Sequence, residues 1–188
     1  MSTARQLRYT YEDYLRALDD SAIKLEYSGG TIYAMAGGTL THASLSARII
    51  RLLDAALAGR CMVMTSDAKV RVETSDFAAF PDASVVCGER LTSAVDARAL
   101  INPTLLVEVT SRSTEAYDRG DKLAHYQALP SLQTILFVSH HEQRLTLVSR
   151  EGGHRIERDF ESGEVGIRQP EVRFQVADVY AGIDLDPA

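Results

Sequence analysis

Asn102-Pro103-Thr104-Leu105-Leu106-Val107-Glu108-Val109-Thr110 is a strand pattern with a carboxylate set into its apolar run. Leu105, Leu106, Val107 and Val109 leave no polar alternation, the signature of a strand covered on both faces of a sheet. An ionised Glu108 in such a place is costly unless it is paired, hydrogen-bonded or bound to a cation. Phe80-Pro81-Asp82-Ala83-Ser84-Val85-Val86 poses the same problem, because Asp82 leads straight into a second apolar strand. Two such carboxylates brought together repel unless a divalent cation lies between them, and hard oxygen ligands suit Mg²⁺ or Mn²⁺. The competing reading satisfies each one separately, with a structural arginine or a backbone amide.

Working outward, Thr10 is an N-cap candidate for a short helix through Leu18, with acidic residues in its first turn. Ile23–Tyr27 and Thr31–Met35 flank Ser28-Gly29-Gly30 and predict a hairpin. Leu45, Ile49, Leu52, Leu53 and Ala56 recur at helical spacing, so a long amphipathic helix is expected from Thr41 to Leu57, with Gly59 as its stop. Cys61–Met64, Ala68–Val72 and Ala83–Cys87 read as strands. Ser113-Thr114-Glu115 opens a helix expected to reach Leu129 before Pro130 ends it. Thr134–Ser139 is a further buried strand, and Glu151-Gly152-Gly153 turns a second hairpin between Arg144–Ser149 and Arg155–Phe160. A short helix is expected around Val176–Tyr180. No repeat or linker divides the pattern, so residues 1–188 are read as one mixed α/β (α+β) domain.

The chain has 188 residues, 45% hydrophobic and 24% charged, enough for one domain with a substantial core. No apolar run reaches the length of a membrane span, and the polar start at Met1–Gln6 does not read as a secretory signal. Cys61 and Cys87 sit in short apolar runs; buried reduced thiols are the expectation, with a disulfide or a metal pair as the alternative. A cytoplasmic protein fits these features. The formal net charge of -6 counts against non-specific DNA binding, which runs on phosphate neutralisation. It does not exclude an enzyme whose carboxylates are neutralised by metal ions.

Taken together, the segments Phe80–Val86, Asn102–Ser111 and Ser113–Asp118, followed by Lys122 and Tyr126, resemble the Uma-two family. Its members were first described as a domain of unknown function and carry the label "putative restriction endonuclease" within the PD-(D/E)XK nuclease superfamily. The likeness covers nearly the whole chain. It implies an αβββαβ core, a central mixed sheet flanked by helices with additional hairpins. It also implies a divalent-metal site for phosphodiester hydrolysis in DNA. Asp82 matches the motif's Asp and Glu108 its acidic member. The superfamily lysine two residues after the acid is here Thr110, and Lys122 on the following helix is the candidate replacement. The other reading of Lys122 is an i,i+4 ion pair with Asp118 on a solvated helix face. Glu26 matches an acidic family position and is either a third metal-site carboxylate or an exposed hairpin residue. His42 matches a family histidine and either lines the site or caps and packs its helix. Arg112, with Lys69, Arg71 and Arg119, could supply local positive charge, although ordinary surface charge is the plainer reading for most of them.

These residues predict a Mg²⁺- or Mn²⁺-dependent endonuclease with Asp82, Glu108 and Lys122 as its catalytic set. A homodimer fits the resemblance, and a separate protein partner could supply specificity. Two rivals are a binding or assembly module that keeps the fold without turnover, and a phosphodiesterase for small nucleotides.

Overall fold

The computed structural model describes residues 8–35, 37–112 and 114–187. The polar start through Gln6 and the helix opening read at Ser113 therefore fall outside the described residues. Helix α1 (Tyr11–Asp20) begins with a capping box: Thr10 accepts from the Asp13 amide while the Asp13 carboxylate accepts from the Thr10 amide. The hairpin follows as β1 (Leu25–Ser28) and β2 (Thr31–Ala34). Its two turn residues, Gly29 and Gly30, have φ of 50° and 94°, the left-handed geometry that matches a two-residue turn to strand twist. Helix α2 (Leu40–Leu57) is capped by Thr39 and ends at Leu57 as expected, with Ala58 and Gly59 both in the left-handed conformation beyond it.

The remaining strands are β3 (Cys61–Thr65), β4 (Lys69–Val72), β5 (Phe77–Ala79), β6 (Ala83–Cys87), β7 (Thr92–Ser93), β8 (Asp96–Leu100) and β9 (Leu105–Thr110). After a helical stretch at 115–127, the motif helix, come β10 (Thr134–Ser139), β11 (Leu145–Glu151), β12 (His154–Phe160), β13 (Glu164–Ile167) and β14 (Val172–Gln175), then a short helix at Val176–Tyr180. One six-stranded sheet runs β12-β11-β10-β9-β6-β3 and is mixed: β9 and β10 are parallel and the other pairs antiparallel. A second six-stranded sheet, β2-β1-β5-β4-β8-β7, carries the hairpin. The result is the expected mixed α+β architecture with a central mixed sheet and flanking helices.

All six residues of β9 are buried. Leu105, Val107 and Val109 pack under α2 with Leu45, Ile49 and Leu53. Leu106 belongs to the opposite face, with Phe137, Ile135, Tyr126 and Leu129. Side chains alternate along a strand, so Glu108 and Thr110 share the Leu106 face, beneath the motif helix. That helix bridges parallel β9 and β10, the crossover that parallel neighbours require.

The motif helix differs from the regular helix expected. It consists of Glu115–Tyr117, a π-helical turn at Asp118–Lys122 and Leu123–Gln127, stopping short of Leu129. Gly120, a weak helix former, lies in the π turn. The cysteine expectation is overturned: Cys61 and Cys87 face each other across β3 and β6 and form a disulfide, and no free cysteine exists among the described residues. Directly opposed positions on adjacent strands bring the two Cα atoms to 4.3 Å, close enough to bridge. The thiols thus lend no support to a reducing compartment. No helix among the described residues is long and apolar enough to cross a membrane.

Candidate functional site: a lysine among carboxylates

Register places the two motif carboxylates together. Ala83 pairs with Val107 in the antiparallel β6–β9 ladder, so Asp82 stands one step further along, beside Glu108. The Asp82 carboxylate accepts the Val109 backbone N–H at 2.7 Å through Oδ2. Its other oxygen, Oδ1, lies 3.3 Å from His42 Nε2. Thr39 does the capping of α2, which leaves the His42 ring free for Asp82. That ring packs so closely over Gly38 that a Cβ there would meet Nδ1 at 2.7 Å. The hydrogen bond to Asp82 raises the pKa of His42, against the opposing pull of its burial.

Glu108 is buried and is reached from the motif helix by two side chains four residues apart, which share a helix face. Tyr126 donates its hydroxyl to Oε1 at 2.8 Å, and Lys122 Nζ lies 3.2 Å from Oε1 and 3.3 Å from Oε2. Lys122 also contacts Glu26 Oε1 at 3.1 Å and Asp118 Oδ1 at 3.5 Å. The predicted i,i+4 pair with Asp118 therefore exists, but not on a solvated face, since only about 5% of the Lys122 side chain is exposed. Glu26 is likewise buried, which excludes the exposed-hairpin reading.

Burial pushes the Glu108 carboxyl up to about 8; Lys122 opposes this, and the charges of Asp118, Asp82 and Glu26 add to it. For Lys122, burial alone favours loss of the proton, but Glu108, Glu26 and Asp118 outweigh it and raise the pKa. The lysine stays cationic. Tyr126 is held neutral, as a donor, by its burial and the Glu108 charge. Four carboxylates thus gather around one permanent cation and one histidine.

Among the described residues no three His, Cys, Asp or Glu side chains form a ready metal cage. The Lys122 ammonium lies among the carboxylates instead. The donors still fit a hard divalent cation: Asp82, Glu108 and Glu26 offer oxygens only, and the four carboxylates outnumber the one lysine among them. Of the other expected residues, Thr110 is buried on the Glu108 face and Arg112 is exposed in the turn after β9. Lys69 and Arg71 are neither surface charge nor site residues. Lys69 pairs with Asp96 at 2.6 Å and Arg71 with Asp76 at 2.6 Å, both packed against α1 tyrosines. Arg119 is tied to Glu157, Glu115 and Thr146.

Sequence reasoning gave no role to Asp118, Tyr126 or Tyr117. Tyr126 carried a readable signal: it stands one helical turn after Lys122, on the face that must meet Glu108. Asp118 was visible only as a partner for Lys122, and nothing local to Tyr117 marks it.

A carboxylate buried in a central strand, a half-buried one at the start of the neighbouring strand and a lysine delivered by the crossover helix mark a nuclease-like α+β protein. The family model described as "Putative restriction endonuclease", Uma2, matches residues 11–180, and the chain belongs to that family. An uncharacterized protein of Synechocystis is 40% identical over 129 residues, 68% of this chain and 67% of the relative. A second uncharacterized Synechocystis protein is 28% identical over 130 residues, 69% of this chain and 73% of the relative. The crystal structure of a putative nuclease belonging to DUF820 from Anabaena variabilis superposes with a TM-score of 0.75 at 15% identity, over 92% of this chain and 97% of that one. The two share a fold.

Proposed function

We propose that this chain is a divalent-metal-dependent endonuclease acting on DNA, with Asp82, Glu108 and Lys122 as its working residues. The observation that carries this reading is Lys122 Nζ, buried and 3.2 Å from Glu108; it would stand in for the lysine that Thr110 replaces. Asp82 and Glu108, with Glu26, would hold Mg²⁺ or Mn²⁺. When bound, the ion would polarise the scissile phosphate and lower the pKa of the attacking water. The Val109 amide and His42 fix the Asp82 carboxylate, and Tyr126 fixes Glu108. Lys122, kept protonated by its carboxylate neighbours, would stabilise negative charge developing on the phosphate oxygens.

The test is cleavage of single-stranded DNA, and nicking of supercoiled plasmid whose underwinding exposes unpaired bases, by purified protein with Mg²⁺ or Mn²⁺, beside Asp82→Ala, Glu108→Ala and Lys122→Met. Wild type is expected to nick only with metal, and all three variants to lose the activity. Wild-type protein inert on single-stranded, double-stranded and branched DNA with both metals would end this reading.

A binding module without turnover is the second reading, favoured by the ammonium already seated among the carboxylates and by Thr110 in the lysine position. Calorimetry separates the two. Metal binding that Asp82→Ala abolishes supports the enzyme; binding indifferent to that change supports the module.

A further inference from the structure

We propose that Tyr33 and Tyr117 form a base-and-phosphate subsite beside the carboxylate cluster, and that it accepts single-stranded rather than duplex nucleic acid. The inference rests on the nuclease reading for its choice of ligand, but its observations are separate.

Tyr33 lies on β2, the edge strand of the second sheet, directly opposite Glu26 in the β1–β2 ladder. Directly opposed residues project from the same face. Glu26 reaches Lys122, so Tyr33 stands on the site-facing side of the hairpin, whereas Tyr27 lies in the tyrosine cluster under α1. Yet Tyr33 is 46% exposed, a large aromatic ring left open at the margin of a buried charge cluster. An aromatic face in that position suits a stacked base, a contact every base can make.

Tyr117 supplies the second element. Its hydroxyl oxygen is buried and has no hydrogen-bond partner among the described residues. Burial, and then the Glu26 charge, raise its pKa, so it keeps its proton as a donor; Lys122, Tyr33 and Asp118 are its other electrostatic neighbours. A buried donor without an acceptor is uncommon in native proteins and calls for an occupant. A phosphate oxygen attached to the nucleoside stacked on Tyr33 would accept that proton.

Charge decides between strand and duplex. Gripping a duplex takes several phosphate contacts from free cations. Here Lys122 is engaged by three carboxylates, Arg119 by Glu157 and Glu115, and Lys69 and Arg71 are buried in the tyrosine cluster, which leaves Arg112, exposed in the turn after β9, rather than several cations beside the site. With a net charge of -6, stacking is the larger available source of affinity. Stacking on Tyr33 needs an unpaired base.

The experiment is fluorescence anisotropy with a labelled ten-nucleotide single strand and the matching duplex, in Ca²⁺ buffer at low salt. Wild type, Tyr33→Ala, Tyr33→Phe and Tyr117→Phe are compared after thermal melts confirm folding. The single strand is expected to bind at least about tenfold tighter than duplex. Tyr33→Ala should weaken it about tenfold, Tyr33→Phe by less than about twofold, and Tyr117→Phe about threefold. Duplex binding equal to or tighter than single strand, or Tyr33→Ala binding like wild type, overturns the proposal. Strand binding through Tyr33 with no cleavage under any metal would remove the nuclease reading and leave the subsite. Metal-dependent cleavage with binding indifferent to Tyr33 would do the reverse.

Discussion

Two lysines are buried in this molecule, and their surroundings differ in one respect. Lys69 meets a single carboxylate, Asp96, at 2.6 Å; Tyr11 donates to that carboxylate at 2.7 Å, and the Tyr14 ring lies under the ammonium. Charges there balance one to one. Burial lowers the pKa of Lys69, while Lys69 and Tyr11 lower that of Asp96 despite its burial. Lys122 instead meets Glu26, Glu108 and Asp118, with Asp82 close by; those carboxylates outweigh burial and raise the pKa of Lys122, while burial first, and then Asp118, Asp82 and Glu26, raise that of Glu108. A balanced buried pair holds α1 to the second sheet. An unbalanced cluster is instead the kind of arrangement that perturbed groups at functional sites present.

That contrast can be broken experimentally. The largest effect is expected at the balanced pair. Lys69→Met strands a buried Asp96 and should cost about 3–5 kcal/mol in urea denaturation, with metal-dependent nicking per folded molecule unchanged. Next come Asp82→Ala and Glu108→Ala, which should lower nicking by about 10²–10³ while the proteins stay folded. Their retention of activity would show that the surplus charge serves no chemistry.

A smaller effect lies in the pH dependence of stability without metal. Glu108 is protonated more readily folded than unfolded, because its pKa rises from 4.5 to about 8. Its contribution is therefore fully present below about pH 4.5 and lost as pH climbs through about 8. Urea midpoints of wild type should fall across this window, and those of Glu108→Gln should fall less. Parallel curves would mean that Glu108 is ionised throughout. The smallest effect is Glu26→Gln, which removes one surplus charge and should leave stability unchanged or raise it by up to about 1 kcal/mol. A loss as large as that of Lys69→Met would erase the distinction between the clusters.

Much of the architecture was legible because its signals are local. The Thr10 cap, the Gly29-Gly30 turn and the 3.6-residue stripe of α2 each depend on neighbours in sequence. The second sheet was not legible as a sheet. Phe77–Ala79 is only three residues long, Asp96–Leu100 has alanines as its alternating apolar residues, and β4 is placed by pairing with β5 and β8. The β13–β14 hairpin carries a period-two pattern in Val165, Ile167, Val172 and Phe174, but each run is only four residues long, and packing on the α2 side of the core decides its place. The π turn escaped because the helical pattern around Asp118–Lys122 is continuous.

At the site the division is cleaner. Glu108 and Asp82 declare themselves in sequence, since an ionised group in an apolar run carries a desolvation cost that some partner must offset. The resemblance singled out Lys122, and its chemistry as a lone cation was readable. Which carboxylates it meets was not. Glu26 on a hairpin, Glu108 on a central strand and Asp118 on the same helix converge only when two sheets and a crossover helix pack together. Charge and patterning are properties of single residues and short stretches, so the chain announces them; the balance of charge inside a cluster is a property of distances, and only the tertiary structure sets those.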